Sequence, residues 1–239
     1  MRRLLLLLAF AALAAGPATA QTFNAQEQAE IRAIVREYLV NNPDVLREAL
    51  DALEARVDAQ RWREVRGDPR DFSIGPANAP IVIVEYFDYR CPYCHAAYEW
   101  IYELTRTRSD VRVVLKEFPV LGPDSMQAAQ AALAAMPQGR YWQFHRALIT
   151  HRGELSSARI DQLARGAGID VARMRRAMSS PEIIAQLEDI RAQAIEYNFT
   201  GTPGFVINGE TVPGFSRPLL EQRLREATRE ARNRRQDAN

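Results

Sequence analysis

Hydrophobic positions change their spacing several times along this chain, and each change marks an element. Ile31, Ile34, Val35, Tyr38 and Leu39 recur at three- and four-residue steps, the period of one helix face. Asn24, followed three residues later by Glu27, makes a capping box ahead of that run. Asn41-Asn42-Pro43 interrupts the pattern, with Asn42 placed to cap a second helix and Pro43 at its first position. Leu46, Leu50, Leu53 and Val57 then alternate four- and three-residue steps, the spacing of a short coiled-coil seam. Residues 21–66 therefore predict a helical arm, and Gly67-Asp68-Pro69 and Gly75-Pro76 mark a linker over 67–78. Two short helices cannot bury such stripes alone, so the arm is expected to self-associate; folding back onto the next domain is the other use of the same stripes.

From residue 79 the period shortens. Ile81-Val82-Ile83-Val84-Glu85-Tyr86-Phe87 is nearly continuously apolar, as in a central strand covered on both faces. A helix occupies 96–108 and a second β-rich run 111–118, ending at Pro119. Helical patterns then occupy 128–136, 141–149, 157–164 and 183–197, with stops at Pro137, Gly153, Gly166 and Pro181. Strand signals return at 204–209, where Asn208-Gly209 predicts a hairpin turn, and a last helix covers 218–229. The order is β-α-β, a helical block, then β-β-α: an α/β domain over 79–239 with a helical insertion at about 122–197.

Residues 1–20 read as a cleavable secretory signal: Arg2 and Arg3, an apolar run from Leu4, and the small-x-small triplet Ala18-Thr19-Ala20. The run is shorter than the roughly 20 residues that span a bilayer. The net charge of +1 for the whole chain falls to about −1 without the two leader arginines, so no general attraction to nucleic acid is expected.

The only two cysteines stand in Cys91-Pro92-Tyr93-Cys94. A disulfide closing so small a loop removes little entropy from the unfolded chain, so the pair is better suited to react than to brace. The strand–turn–helix pattern puts Cys91 at a helix N-terminus, where backbone N–H groups and the dipole favour an anion. Cys91 is thus the expected attacking thiolate, and Cys94, one turn inside, the residue that resolves the mixed disulfide. Pro92 suits the first turn, where its missing N–H is harmless. Zinc held with His145 and His151 would need halves about 50 residues apart, unlike a compact finger. Capture of Cu(I) by two soft thiolates is the stronger rival. Glu85 interrupts an apolar strand, and a buried acid tends to keep its proton. Lys116, the only lysine, ends the second strand within topological reach of Glu85; a surface lysine is the bland alternative. His95 adds positive character beside Cys94 or is merely helix surface. Thr202-Pro203, taken alone, reads as a turn between Gly201 and Gly204.

Taken together, Glu85-Tyr86-Phe87-x-x-x-Cys91-Pro92-Tyr93-Cys94 and the distant Gly201-Thr202-Pro203-Gly204 resemble the DsbA family of thioredoxin-fold oxidoreductases, over roughly residues 70–235. The resemblance implies a thioredoxin fold with an inserted helical domain and a Cys91–Cys94 redox disulfide. It implies a cis Pro203 opposite that pair, with Thr202 free to pair with substrate backbone, and a Glu85 that exchanges protons with the buried thiol. Tyr38-Leu39-Val40-Asn41-Asn42-Pro43 resembles the N-terminal segment of ScsC-like members, some of which trimerise through it. Pro92-Tyr93 and Thr202 resemble the isomerase-leaning members. These likenesses imply a periplasmic protein disulfide oxidoreductase, with isomerase or reductase favoured over oxidase. Its partners would be exported protein substrates, a redox partner that resets the pair and a homotrimer through the arm, with no cofactor and no metal. An oligomeric chaperone or a Cu(I)-binding module is the alternative.

Overall fold

The computed structural model describes residues 23–237; the signal segment expected over residues 1–20 lies outside them. The chain divides into two compact units, one up to Glu54 and one from Ala55 onward.

The first unit begins with helix α1 (Ala25–Asn41). Its capping box is complete: Asn24 Oδ1 accepts from the Gln26 and Glu27 N–H groups at 3.0 Å each, and Glu27 accepts from the Asn24 N–H at 2.8 Å. Asn42 acts differently from the sequence expectation. Its side-chain amide donates to the Tyr38 carbonyl at 2.8 Å, beside its own backbone N–H, and so closes α1. Helix α2 (Pro43–Gly67) then starts on Pro43. The apolar stripes of these helices are exposed, Ile34 at 66% and Leu50 at 65%, and the first unit offers them no core of its own.

The last turns of α2 belong to the second unit, where Val65 is buried and Trp62 packs against the same cluster. This corrects the arm boundary at residue 66. Residues 67–78 are likewise more than a linker, since they contain strand β1 (Phe72–Ile74) at a sheet edge. Three residues between Gly/Pro clusters carry too little period to be read as a strand; pairing with a neighbour makes it one.

The sheet is completed by β2 (Ile81–Phe87), β3 (Val111–Glu117), β4 (Gly204–Ile207) and β5 (Glu210–Pro213), in the order β1-β3-β2-β4-β5. Strands β2 and β3 run parallel, joined by helix α3 (Pro92–Thr107), and the other pairs are antiparallel. Asn208 (φ 49°) and Gly209 (φ 98°) make the β4–β5 hairpin turn, both left-handed as a type I′ turn requires.

Alternation along the strands splits the core into two layers. Ile81, Ile83, Phe87, Val113 and Leu115 face one way, under α3 and helix α9 (Arg217–Gln236). Val82, Val84, Tyr86 and Val114 face the other, against Val65 and Ile190, Ala194 and Tyr197. The helical block is α4 (Pro123–Ala135), α5 (Tyr141–Thr150), α6 (Ser157–Gly166), α7 (Val171–Ala177) and α8 (Pro181–Glu196). The sequence pattern missed α7: it is a seven-residue, arginine-rich helix with one buried anchor, Met174.

Gly204 opens β4 directly under the Phe199 ring, and a Cβ built there would stand 2.7 Å from it. Gly204→Ala is therefore expected to destabilise the protein by about 1–3 kcal/mol through overpacking. A urea midpoint that falls at unchanged slope would register this loss.

Candidate active site

The turn between β2 and α3 is held by Asp88. Its carboxylate accepts from the Arg90 N–H (2.7 Å), the Ser125 hydroxyl (2.7 Å) and the N–H groups of Val120 (2.8 Å) and Leu121 (2.9 Å). Arg90 adds a bond from Nη1 to the Leu121 carbonyl at 2.9 Å. The active-site turn is thereby clamped to the loop that enters the helical block. Asp88 was not singled out in the sequence, where it is one acid in Asp88-Tyr89-Arg90; its bonds reach more than thirty residues away.

Cys91 is the N-cap residue of α3, with Pro92 at the first helical position, and its backbone N–H donates to the Asp88 carbonyl at 3.1 Å. Both cysteines are free, with no disulfide between them. They are 4% and 1% exposed respectively, while Tyr93 between them stands 65% exposed beside the pair. Cys91 Sγ lies 3.1 Å from the Thr202 carbonyl oxygen, and the Thr202–Pro203 peptide is cis. The tip of the cysteine motif therefore meets the loop ahead of β4.

The two sulfurs are driven apart in acidity. A hydrogen bond from Cys94 is the largest influence lowering the Cys91 thiol, with further contributions from the Thr202 side chain and the Cys94 and Tyr93 backbone; against opposing burial they bring it to about 5. Cys94 is pushed far above the ordinary thiol range, first by burial, then by its bond to Cys91 and by Glu85. Glu85 is buried on β2, and burial first, with the Cys91 charge second, raises its carboxyl to about 8. Near neutral pH this gives a thiolate, a thiol and a protonated acid in one cluster.

Lys116 does not join that cluster. In the β2–β3 register Glu85 is opposite Leu115, so Lys116 projects from the other face of the sheet. There, fully buried, it pairs with Asp71, whose other oxygen accepts from Gln186 Nε2 at 3.1 Å. Both the expected Glu85 pairing and the surface alternative are thus overturned. Lys116→Met should cost about 3–5 kcal/mol because it strands a buried carboxylate, and adding Asp71→Asn should recover most of that. Denaturant melts of the two variants check the pairing.

His95 is half-buried at the start of α3. Its Nε2 bonds the Tyr89 carbonyl at 2.6 Å, so this nitrogen is the donor, and Nδ1 takes a guanidinium N–H from Arg152. It tethers the turn, a role the residue pattern did not indicate. A further buried network went unread: Glu117 Oε1 accepts from Tyr89 (2.8 Å) and Tyr141 (2.7 Å), and Tyr89 lies 3.2 Å from His145 Nδ1. Burial pushes the Glu117 carboxyl well up and lowers His145 to about 3. His145 is thus walled in by aromatic rings, and among the described residues no group of three or more His, Cys, Asp or Glu side chains is gathered for a metal.

Residues 82–225 match the family model of the DSBA-like thioredoxin domain. The chain belongs to that family. Its DSBA-like domain carries Cys91 and Cys94 at the β2–α3 turn, and residues 27–60 match the model of the copper resistance protein ScsC N-terminal domain. A thioredoxin-like oxidoreductase from Silicibacter pomeroyi DSS-3 is similar at 36% identity and TM-score 0.67, over 72% of this chain and 97% of that one. Proteus mirabilis ScsC in a transitional conformation is 26% identical at TM-score 0.66, over 87% of this chain and 98% of that one. The thiol-disulfide exchange protein α-DsbA2 from Wolbachia pipientis shares the fold at 23% identity and TM-score 0.65, over 74% and 97% of the two chains. The Na(+)/H(+) antiporter NhaA 3 of Salinispora tropica is 35% identical over 146 residues, 59% of this chain but 22% of the antiporter. The chain thus spans between about a fifth and a quarter of the length of the curated relatives it matches. No helix among the described residues is long and apolar enough to cross a membrane.

Proposed function

We propose that this DSBA-like protein exchanges disulfides with exported proteins in the periplasm, acting as an isomerase or reductase more than as an oxidase. The observation that carries the reading is the split acidity of Cys91 and Cys94 within one motif. The Cys91 thiolate attacks a client disulfide; a Cys91–client bond forms and the client's other sulfur leaves as a thiolate. Rearrangement then proceeds in one of two ways. The freed client thiolate can attack elsewhere in the client and finally release Cys91, with no net electron transfer. Alternatively Cys94, giving up its proton, attacks Cys91 Sγ; the client leaves reduced by two electrons and Cys91–Cys94 becomes a disulfide. A dithiol partner must then reset the pair. Glu85, buried and proton-holding, is the proposed proton exchanger for Cys94, and the Thr202 backbone ahead of Pro203 the proposed surface for client backbone.

The exposed stripes of α1 and α2, with Ile34, Tyr38, Leu50 and Leu53, support assembly of copies through the arm, a trimer by resemblance to ScsC-like members. Several active sites on one client favour shuffling over simple donation. The arm is best tested without truncation, since removing everything before Pro69 would also delete buried Val65. The mature chain is expected to restore activity to a scrambled multi-disulfide substrate, and Leu50→Glu/Leu53→Glu to lose that recovery while still reducing a simple disulfide. Recovery by neither form, with rapid oxidation of a reduced peptide, would make the protein an oxidase. No exchange at all would end the enzymatic reading. The match to the copper resistance model supports a second reading, Cu(I) carriage, which requires stoichiometric Cu(I) binding that depends on both cysteines.

A further inference from the structure

Helix α3 leaves the cysteine motif with His95, Tyr98 and Tyr102 at three- and four-residue steps, so these side chains share one face. Three arginines lie along it. Arg152 donates to His95 Nδ1, and Arg146 Nε donates to the Tyr98 hydroxyl at 3.2 Å. The Arg146 guanidinium also stands 5.0 Å from the centre of the Tyr102 ring, and Arg106 stands 5.5 Å from the same ring. Tyr98 and Tyr102 are themselves stacked, with ring centres 5.8 Å apart. The result is a cationic strip that starts beside Cys94 and follows α3 to its last turn.

All three arginines are exposed, and among the described residues none of them forms an ion pair. Glu103, on the same helix, is engaged by Arg217, while Glu99 and Glu154 stand exposed without pairing to the strip. The chain as a whole carries 31 basic and 30 acidic residues, so this is a local excess and not a general field. A free surface arginine gives up side-chain entropy when it binds, whereas these three are already held by their ring and imidazole neighbours. Each guanidinium has five N–H donors, and Arg146 and Arg152 each donate one to the contacts described above. The remaining donors match carboxylates in charge and geometry.

We infer that this strip binds an acidic segment of the protein joined to Cys91, its carboxylates meeting Arg106, Arg146 and Arg152. Single exposed ion pairs are weak, but the disulfide to Cys91 makes their formation intramolecular, so several can act together. At a helical rise of 1.5 Å per residue the strip extends from about 6 to about 22 Å along the axis from Cys91. An extended chain advances about 3.3 Å per residue, which places the acids roughly two to seven residues from the partner's cysteine. The inference rests on the disulfide-exchange reading and names the partner class that reading leaves open.

The test uses the full mature chain carrying Cys94→Ser, which stops at the mixed disulfide. Cys91 is first linked to glutathione, then equilibrated with single-cysteine peptides; each exchange moves one disulfide and frees one thiolate, with no net oxidation. A peptide with four Asp or Glu residues in that window should be preferred about tenfold over its Ser counterpart at low salt, and the two should approach parity at about 0.5 M salt. Arg106→Glu/Arg146→Glu should reverse the order, favouring a Lys peptide, with exchange of the Ser peptide unchanged. Should that variant fail to fold, Arg106→Gln/Arg146→Gln is expected to erase the acidic preference. Equal exchange of acidic and Ser peptides, or an acidic preference that survives the paired substitutions, overturns the strip assignment. Failure of Cys91 to exchange with glutathione or any peptide would overturn the underlying reading and the assignment with it.

Discussion

Cys91→Ser is expected to reduce disulfide exchange to background, whereas Cys94→Ser should keep the first step and accumulate the mixed disulfide. The asymmetry comes from position. Cys91 sits at the tip of α3 against Thr202, and Cys94 lies almost completely buried behind it. Lowering the Cys91 thiol to about 5 has less effect on attack than intuition suggests. At pH 7 the thiolate fraction rises about 30-fold over an ordinary thiol of pKa ~8.5, but a Brønsted slope of ~0.4–0.5 takes back a similar factor in nucleophilicity. The gain is in departure: a stabilised Cys91 thiolate leaves faster from the mixed disulfide. Single-turnover traces should therefore show Cys91 release, rather than initial attack, as the step this acidity accelerates. Equal trapping by Cys91→Ser and Cys94→Ser would contradict the assignment.

The second large effect is on the pH dependence of the redox equilibrium. The Cys91 thiol is depressed, so the added stability of the reduced form is present above the ordinary thiol range and is lost as pH falls through about 5. Above that point reduction takes up one proton, on Cys94, and the potential should fall by about 30 mV per pH unit; below it two protons are taken up and the slope should approach ~59 mV. Glu85 adds a further feature. Its carboxyl reaches about 8 beside the thiolate, and the Cys91 charge is part of the cause, so its acidity differs between the oxidised and reduced proteins. Reduction should then draw an extra proton onto Glu85 just below pH 8, steepening the slope there. Glu85→Gln should remove that segment and leave the break near pH 5. Equilibration with a thiol redox buffer across the acid and neutral range measures both; a uniform slope throughout would mean that Cys91 is not preferentially ionised.

Some of this architecture is legible in the residue pattern. The Asn24–Glu27 cap, the turn at Asn208-Gly209 and the strand ahead of Cys91 are local: each depends on residues within a few positions, and the corresponding bonds form. Strand β1 and helix α7 are not, because three and seven residues carry too little period to outvote their Gly, Pro and Arg neighbours. Lys116 shows the sharper limit. Its position at the end of β3 is readable, but a one-residue difference in register sends a side chain to the opposite face, and its partner Asp71 stands just ahead of a strand the pattern does not reveal.

By itself, the sequence indicated the N-terminal helices, the order of strands and helices apart from β1 and α7, and the pair expected to react, since these come from periodicity, capping residues and two cysteines with no others to pair with. The tertiary structure alone decided what surrounds that pair. Thr202 reaches Cys91 across 111 positions, Asp88 reaches Val120 and Leu121, and Phe199 closes on Gly204. Contacts between distant segments depend on how strands align and layers pack, and residue spacing within a segment carries no information about that alignment.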